Sequence, residues 1–314
     1  MITKRVRHLL LRYFAARANR RPYVLNIEVT HRCNARCEHC VCWRVDPGEE
    51  LSDYVDIVKE FRPIIVWFTG GEPLLRKDLV EIIKNIRAQD SDLYLGMATN
   101  GWFLTPQLGQ QLVKSGLDQV NISLDFIGHR HDEFRKIDGL YNHIETIVPE
   151  LRRAGLNVVL ACCILKENLQ YILPIAQLAE TWGIEVGYSC YSHLKIGDQS
   201  KVVSKEYIYQ LQQIVDILCA WKKIKGTIKS SYSYLRKIPK FYEKGTIGSC
   251  SATKTWLYVS PDGHLKICPD RDVYSYYKDY SGGLKINCGK CWYTCRGEME
   301  TPFFERLVWE LRHL

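Results

Sequence analysis

A chain of 314 residues, 46% hydrophobic and 25% charged, is long enough to bury a full core and too apolar to stay disordered. No apolar run reaches membrane-span length, and the N-terminus lacks a secretory signal. Its thirteen cysteines are therefore expected to be thiols of a reducing, cytoplasmic compartment, clustered for metal ligation rather than disulfides. The net charge of +8 is local, because residues 1–27 hold seven Lys and Arg and no acidic residue.

Residues 1–22 predict a basic amphipathic helix. Val6, Leu9, Leu10, Tyr13 and Phe14 recur at helical spacing beside the arginines. Such a helix either lies on an anionic membrane surface, giving peripheral membrane contact, or packs its stripe across the bottom of a barrel with its arginines in water. The second is expected, since mere docking already requires the stripe.

From residue 23 to about 200 strand and helix patterns alternate. Strands are expected at 23–30, 64–69, 93–99, 119–124, 157–164 and 184–189, with helices at 54–61, 78–87, 106–115, 141–153 and 169–182 between them. Pro106 suits an early helical position, and Gly155 and Gly183 suit helix ends. These β–α units predict an α/β fold with a parallel sheet that curls with helices outside. In such barrels chemistry sits at the strand C-termini. Cys33, Glu72, Asn100 and Ser123 all end or follow predicted strands, so they should converge on one mouth.

The first of these is a run of three thiols, Cys33, Cys37 and Cys40, spaced C-x3-C-x2-C after the first strand. A four-iron cubane usually takes four thiolates, so three leave one iron open for chemistry. The same trio also suits a zinc site that borrows a distant fourth ligand. The second strand ends in Gly70-Gly71-Glu72-Pro73, where two glycines let a backbone approach a ligand and Glu72 offers a carboxylate for an ammonium group. Cys162 and Cys163 fall within a strand, where at most one faces the interior, and both read as structural, like Cys219. Cys42 reads as a bystander, and Cys190 ends the sixth strand near the mouth.

Residues 201–245 predict a helical connector in which lysines and arginines from Lys222 to Lys244 interleave with Tyr232, Tyr234, Phe241 and Tyr242. That pattern suits nucleic acid or an acidic substrate, but a solvated face is the expected reading. Residues 246–314 form a small cysteine-rich domain. Cys250 and Cys268 flank a hairpin pattern, 256–267, with Pro-Asp-Gly at its turn. Cys288 and Cys291 add a Cys-x2-Cys pair, and Cys295 stands in reserve. Four such thiolates close an iron–sulfur cluster or a zinc ribbon equally well.

The Cys33/Cys37/Cys40 run, Gly-Gly-Glu-Pro at 70–73, Met97–Gly101, Asn121–Asp125 and His131–Arg135 with Gly139 together resemble the radical S-adenosylmethionine (SAM) superfamily, from about Leu25 to the C-terminus. The resemblance implies a partial (β/α)6 TIM-like barrel at 23–200 whose three thiols hold a [4Fe–4S] cluster and whose open iron is chelated by SAM. It implies that Gly70, Gly71, Glu72, Asn100, Ser123 and Asp125 line the SAM pocket. His39 occupies the place of a bulky aromatic that packs on the adenine. Imidazole can stack too, and it brings a titratable nitrogen. The Cys250…Gly263-x4-Cys268 portion resembles the SPASM and Twitch auxiliary domains. This implies a second cluster on Cys250, Cys268, Cys288 and Cys291, with Cys295 competing for the fourth place.

The implied activity is reductive cleavage of SAM to a 5′-deoxyadenosyl radical that abstracts hydrogen from a small metabolite or peptide, in an oxidation or cross-linking step. An electron donor such as flavodoxin or ferredoxin is then expected as a partner. Peptide-modifying relatives often carry a leader-binding domain, and a first strand near residue 23 leaves no room for one upstream. That tilts the expectation to a sugar, a cyclitol or a peptide presented by another protein, with a lipid as a third option. The alternative is an iron–sulfur or zinc protein that binds nucleic acid without SAM chemistry, and Glu72 and Ser123 at strand ends argue against it.

Overall fold

The computed structural model describes residues 4–271, 273–302 and 305. In chain order the elements are α1 (Lys4–Ala18), β1 (Val24–Thr30), α2 (Val55–Phe61), β2 (Ile65–Gly70), α3 (Leu79–Gln89), β3 (Tyr94–Thr99), α4 (Pro106–Ser115), β4 (Gln119–Ser123), α5 (His129–Arg135), α6 (Leu140–Arg153), β5 (Val158–Ile164), α7 (Ile172–Trp182), β6 (Glu185–Cys190), α8 (Ile208–Lys225), α9 (Tyr232–Lys244), β7 (Trp256–Val259), β8 (His264–Lys266), β9 (Val273–Tyr276) and α10 (Thr294–Gly297). Local chemistry sets several of these boundaries. Thr105 caps α4 by accepting from the Leu108 N–H at 3.1 Å, Pro106 follows it, and Gly116 ends the helix at φ +90°.

All strands join one sheet in the order β6-β5-β4-β3-β2-β1-β7-β8-β9. β1 to β6 run parallel, as the repeated β–α pattern requires. Their period-2 alternation splits the side chains into two sets. Leu25, Ile27, Val29, Val66, Phe68, Leu95, Met97, Val120 and Ile122 turn outward into a core shared with Ile57, Ile82, Ile83 and Ile144 of the surrounding helices. The inward set is different in kind: Asn26, Glu28, Gln119, Asn121 and Ser123 line the interior. Polar and small residues there leave a hollow barrel with a cavity of about 930 Å³.

The C-terminal hairpin is built as expected, with β7 and β8 antiparallel. Its placement was not legible in the sequence. β7 pairs in parallel with β1, Val24 opposite Trp256 and Ile27 opposite Val259, so the sheet continues without a break into the cysteine-rich segment.

Helix α1 docks beneath the barrel through buried Leu9 and Tyr13, and the Tyr13 ring meets Tyr23 edge-on at 5.2 Å. The expectation that its arginines stay in water holds for Arg7 and Arg17, which are exposed, and needs correction for Arg5 and Arg12. Arg5 donates to Asp118 at 3.1 Å and to the Leu93 carbonyl at 2.8 Å, and Arg12 pairs with Asp90 at 2.5 Å. These partners precede β3 and β4, so the arginines tie α1 to the strand entrances.

In the 201–245 connector the aromatics are not a stacking platform. Tyr234, Phe241 and Tyr242 are buried in the main core. Lys229 is buried against Glu185, and Lys222 donates to the Ile228 carbonyl. No helix of the described residues is long and apolar enough to cross a membrane.

Candidate active site

Cys33, Cys37 and Cys40 lie on the loop after β1, and Gly70, Gly71 and Glu72 at the end of β2. Asn100 follows β3, and Ser123 and Asp125 end and follow β4. All of them, with His39, line a single cavity that runs through the barrel interior. The residues expected to converge from separate segments therefore do so.

The reason for the two glycines differs from the one the sequence suggests. A Cβ on Gly70 would stand 2.2 Å from the Thr30 carbonyl oxygen, and one on Gly71 2.1 Å from that of Arg32. Gly70 also holds φ +130°. The glycines let the end of β2 run against the cysteine loop, where Gly71 and Glu72 donate backbone N–H groups to Thr30 and Arg32, both at 2.8 Å. Their close partner is the backbone that positions the thiols.

The Glu72 carboxylate is buried and accepts from the Thr99 hydroxyl at 2.6 Å, the Asn100 N–H at 2.8 Å and the Leu74 N–H at 3.1 Å. Burial pushes its pKa up against these donors. A carboxylate has about four acceptor sites, so one remains for a cavity ligand. Asn100 is locked in turn: its Nδ2 donates to Asn34 of the cysteine loop at 2.8 Å, and its Oδ1 accepts from Trp102 N–H.

Asp125 likewise accepts from three donors. Oδ2 accepts from Arg135 Nε at 3.0 Å and Nη2 at 2.5 Å, and Oδ1 accepts from the Cys163 N–H at 2.8 Å. Arg135 also reaches the Cys37 sulfur with Nη1 at 3.8 Å. His39 stacks on Phe134, with centroids 4.9 Å apart and planes 6° apart. Burial, then the charges of Arg135, Lys195 and Lys201, holds its pKa well below the usual histidine value. The ring is thus neutral near pH 7, and His39 lines the cavity.

Burial pushes the Cys33 thiol up to about 11. Cys40 is pulled down, chiefly because the Cys42 thiol donates to it. Cys42, read from sequence as a bystander, lines the cavity and supports a ligand candidate.

The second thiol group sits on the β1–β7 side. Cys250, Cys268 and Cys295 pack into one cluster with Tyr258 and Ile267, and Tyr258 donates to the Cys295 sulfur at 4.0 Å. Burial, with neighbouring thiols adding to it, pushes Cys268 and Cys291 up to about 12. Of the five, Cys295 lines the cavity, whereas Cys250, Cys268, Cys288 and Cys291 stand behind its wall.

Among the described residues no three His, Cys, Asp or Glu side chains converge to hold a single ion. A cubane does not ask for this, because each thiolate binds a different iron. The donor set, thiols alone at both places, fits iron–sulfur chemistry.

Sequence reasoning missed Arg135, Lys195, Asp270 and Glu298 as cavity residues. Arg135 belonged to a segment already singled out, but nothing local signals its reach to Cys37. Lys195 and Asp270 come together only when β7 joins β1.

A curled parallel sheet with its polar groups at the strand C-termini is the architecture of barrel enzymes. The chain belongs to the radical SAM superfamily, whose family model matches residues 27–179. Over 275 residues it is 30% identical to the GTP 3′,8-cyclase of Helicobacter pylori (strain HPAG1), covering 78% of this chain and 79% of that one. It is 31% identical over 186 residues to the pre-heme d1 synthase of Dinoroseobacter shibae, covering 57% of this chain but only 45% of that protein. Streptococcus suis SuiB bound to SAM has the same fold, with TM-score 0.67 and 13% identity over 88% of this chain and 68% of that one. SuiB is also known bound to its precursor peptide SuiA. The superfamily's cofactors, a [4Fe–4S] cluster and SAM, are those of this chain.

Proposed function

We propose that this protein cleaves SAM reductively and uses the resulting radical to abstract hydrogen from a small metabolite or peptide, in an oxidation or maturation step. One observation carries the reading: three thiols, a fixed carboxylate and an imidazole ring, drawn from separate β–α units, line one cavity. The cluster and SAM supply the electron transfer and the 5′-deoxyadenosyl radical when bound.

The chain's own residues do the rest. Cys33, Cys37 and Cys40 would hold the cluster, three thiolates for four irons leaving one open to SAM. Glu72, immobilised by three donors, accepts from the SAM ammonium through its remaining site. His39 offers its ring to the adenine. Asn100 locks the cysteine loop to the end of β3, and Ser123 closes the pocket at the end of β4. Asp125 acts through Arg135, which steadies the Cys37 sulfur. The barrel wall keeps water from the reacting carbon.

Behind the wall, Cys250, Cys268 and Cys291 are proposed ligands of an auxiliary cluster. For the fourth place, the packing of Cys295 beside Cys250 and Cys268 favours it over Cys288. This cluster would take up the second electron of an oxidation. A flavodoxin or ferredoxin would supply the first electron.

The relatives differ in chemistry, one a cyclase of the nucleotide GTP and another a synthase of pre-heme d1, so they do not choose a substrate for this chain. Anaerobic reconstitution followed by dithionite-driven assay for 5′-deoxyadenosine tests the reading. Product from the wild type, none from Cys37→Ala and partial activity in Cys291→Ala are expected. A reducible, iron-loaded sample that makes no 5′-deoxyadenosine would refute the proposal.

A further inference from the structure

The charge balance of the cavity bears on what can enter it. Among the described residues its wall carries five Lys and Arg side chains and six Asp and Glu side chains. Several neutralise one another. Lys266 donates to both oxygens of Glu28, at 3.1 and 3.0 Å, and Arg135 is consumed by Asp125.

Two residues between the thiol groups are incompletely satisfied. Lys195 ends the short turn His193–Lys195 after β6. It stands within electrostatic reach of Cys40, Cys42, Asp270 and Glu28. No carboxylate of the described residues lies within salt-bridge distance of it. Asp270, past β8, accepts from the Tyr293 hydroxyl through Oδ2 at 2.5 Å. Its Oδ1 is buried and has no hydrogen-bond partner among the described residues. Both side chains line the cavity, so an ammonium and a bare carboxylate oxygen border the same space without touching.

A buried acceptor left unpaired destabilises the site until a ligand satisfies it. The group that resolves both ends must accept from Lys195 and donate to Asp270. A hydroxyl does both. A phosphate dianion or an ionised carboxylate has no hydrogen to give Asp270.

We propose that the cavity takes a neutral, hydroxyl-bearing small molecule of the sugar or cyclitol kind, one hydroxyl bridging Lys195 Nζ and Asp270 Oδ1. The inference rests on the radical SAM reading above and narrows its substrate class.

The test uses reconstituted holoenzyme with SAM. A control arm records the change that SAM produces in the electron paramagnetic resonance spectrum of the reduced protein; its absence in the wild type would count against the radical SAM reading itself. The second arm measures binding by saturation-transfer NMR for myo-inositol, glucose and N-acetylglucosamine, each beside its phosphate ester. At least one neutral compound should bind about tenfold more tightly than its ester, and Lys195→Met and Asp270→Asn should each weaken it about tenfold, the scale of one buried hydrogen bond. Lys195→Met keeps the test open should Asp270→Asn disturb folding beside Cys268. Tighter binding of the esters, no binding by any neutral compound, or binding indifferent to Lys195→Met would overturn the proposal. So would loss of the SAM effect in Lys195→Met with polyol binding intact, which would assign Lys195 to SAM instead.

Discussion

Arg135 joins two parts of the site: its Nη1 donates to the Cys37 sulfur at 3.8 Å while Nε and Nη2 grip one oxygen of Asp125 at 3.0 and 2.5 Å. Asp125 has no solvent exposure. Hydrogen bonds to cluster sulfurs raise reduction potential. Lysine keeps the positive charge near Asp125 but cannot reproduce the planar fork. Arg135→Lys should therefore fold, load iron and show a first-cluster midpoint lower by about 40 mV, the equivalent of about 1 kcal/mol for one electron. A spectroscopic redox titration reads this directly. Arg135→Ala leaves Asp125 buried and uncompensated, and should cost about 3–5 kcal/mol by chemical denaturation.

The second prediction concerns Gly71. Its Cβ-free backbone sits against Arg32, where an added methyl would stand 2.1 Å from a carbonyl oxygen. Backbone cannot yield as a side-chain tip can. Gly71→Ala should push the cysteine loop away from the end of β2, lowering stability by about 3 kcal/mol and reducing iron incorporation at the first cluster. Iron and sulfide analysis in a variant that also lacks the C-terminal cysteines isolates the effect.

Much of this site was legible in the sequence. The alternation of β1 and β4 already separates Leu25, Ile27, Val120 and Ile122 from Asn26, Glu28, Gln119 and Asn121, so a hollow polar interior follows from period 2 alone. The cysteine spacing and the strand-end positions of Glu72, Asn100 and Ser123 do the same for the mouth. What could not be read depends on long-range pairing. The register of β7 against β1 links residues more than 230 apart, and no local pattern encodes it. That pairing brings Asp270 and Cys295 to the cavity. Arg5 and Arg12 of α1 were misjudged for a related reason, since Asp118 and Asp90 are their partners only after the barrel closes.

Asp118 shows how much that docking matters. It accepts from Arg5, from Arg87 at 2.6 Å and from the Leu95 N–H at 2.8 Å. Asp118→Ala removes the shared acceptor of two arginines and one strand amide. A loss of about 2–3 kcal/mol is expected, with faster hydrogen exchange in α1 than in β3. Unchanged exchange in α1 would mean that apolar packing by Leu9 and Tyr13 alone holds the helix.

Glu298 gives a pH dependence with a definite sign. It is 9% exposed, accepts from the Ser231 N–H at 3.0 Å, and burial raises its pKa to about 7. The unfolded chain loses this proton near the ordinary glutamate value, whereas the folded one keeps it until about pH 7. Its contribution is thus fully present below the unfolded pKa and is lost as pH rises to about 7. The span corresponds to on the order of 3 kcal/mol. Glu298→Gln should flatten the stability profile in that window, as measured by urea denaturation at several pH values.

The account stands on an iron left open by Cys33, Cys37 and Cys40 and taken by SAM. Its most direct test is the electron paramagnetic resonance spectrum of anaerobically reconstituted, dithionite-reduced protein with and without SAM. SAM should change the signal in the wild type and in Cys291→Ala, and no SAM-responsive signal should remain in Cys37→Ala. A four-iron signal that ignores SAM in the wild type, or a SAM response that survives Cys37→Ala, would contradict it.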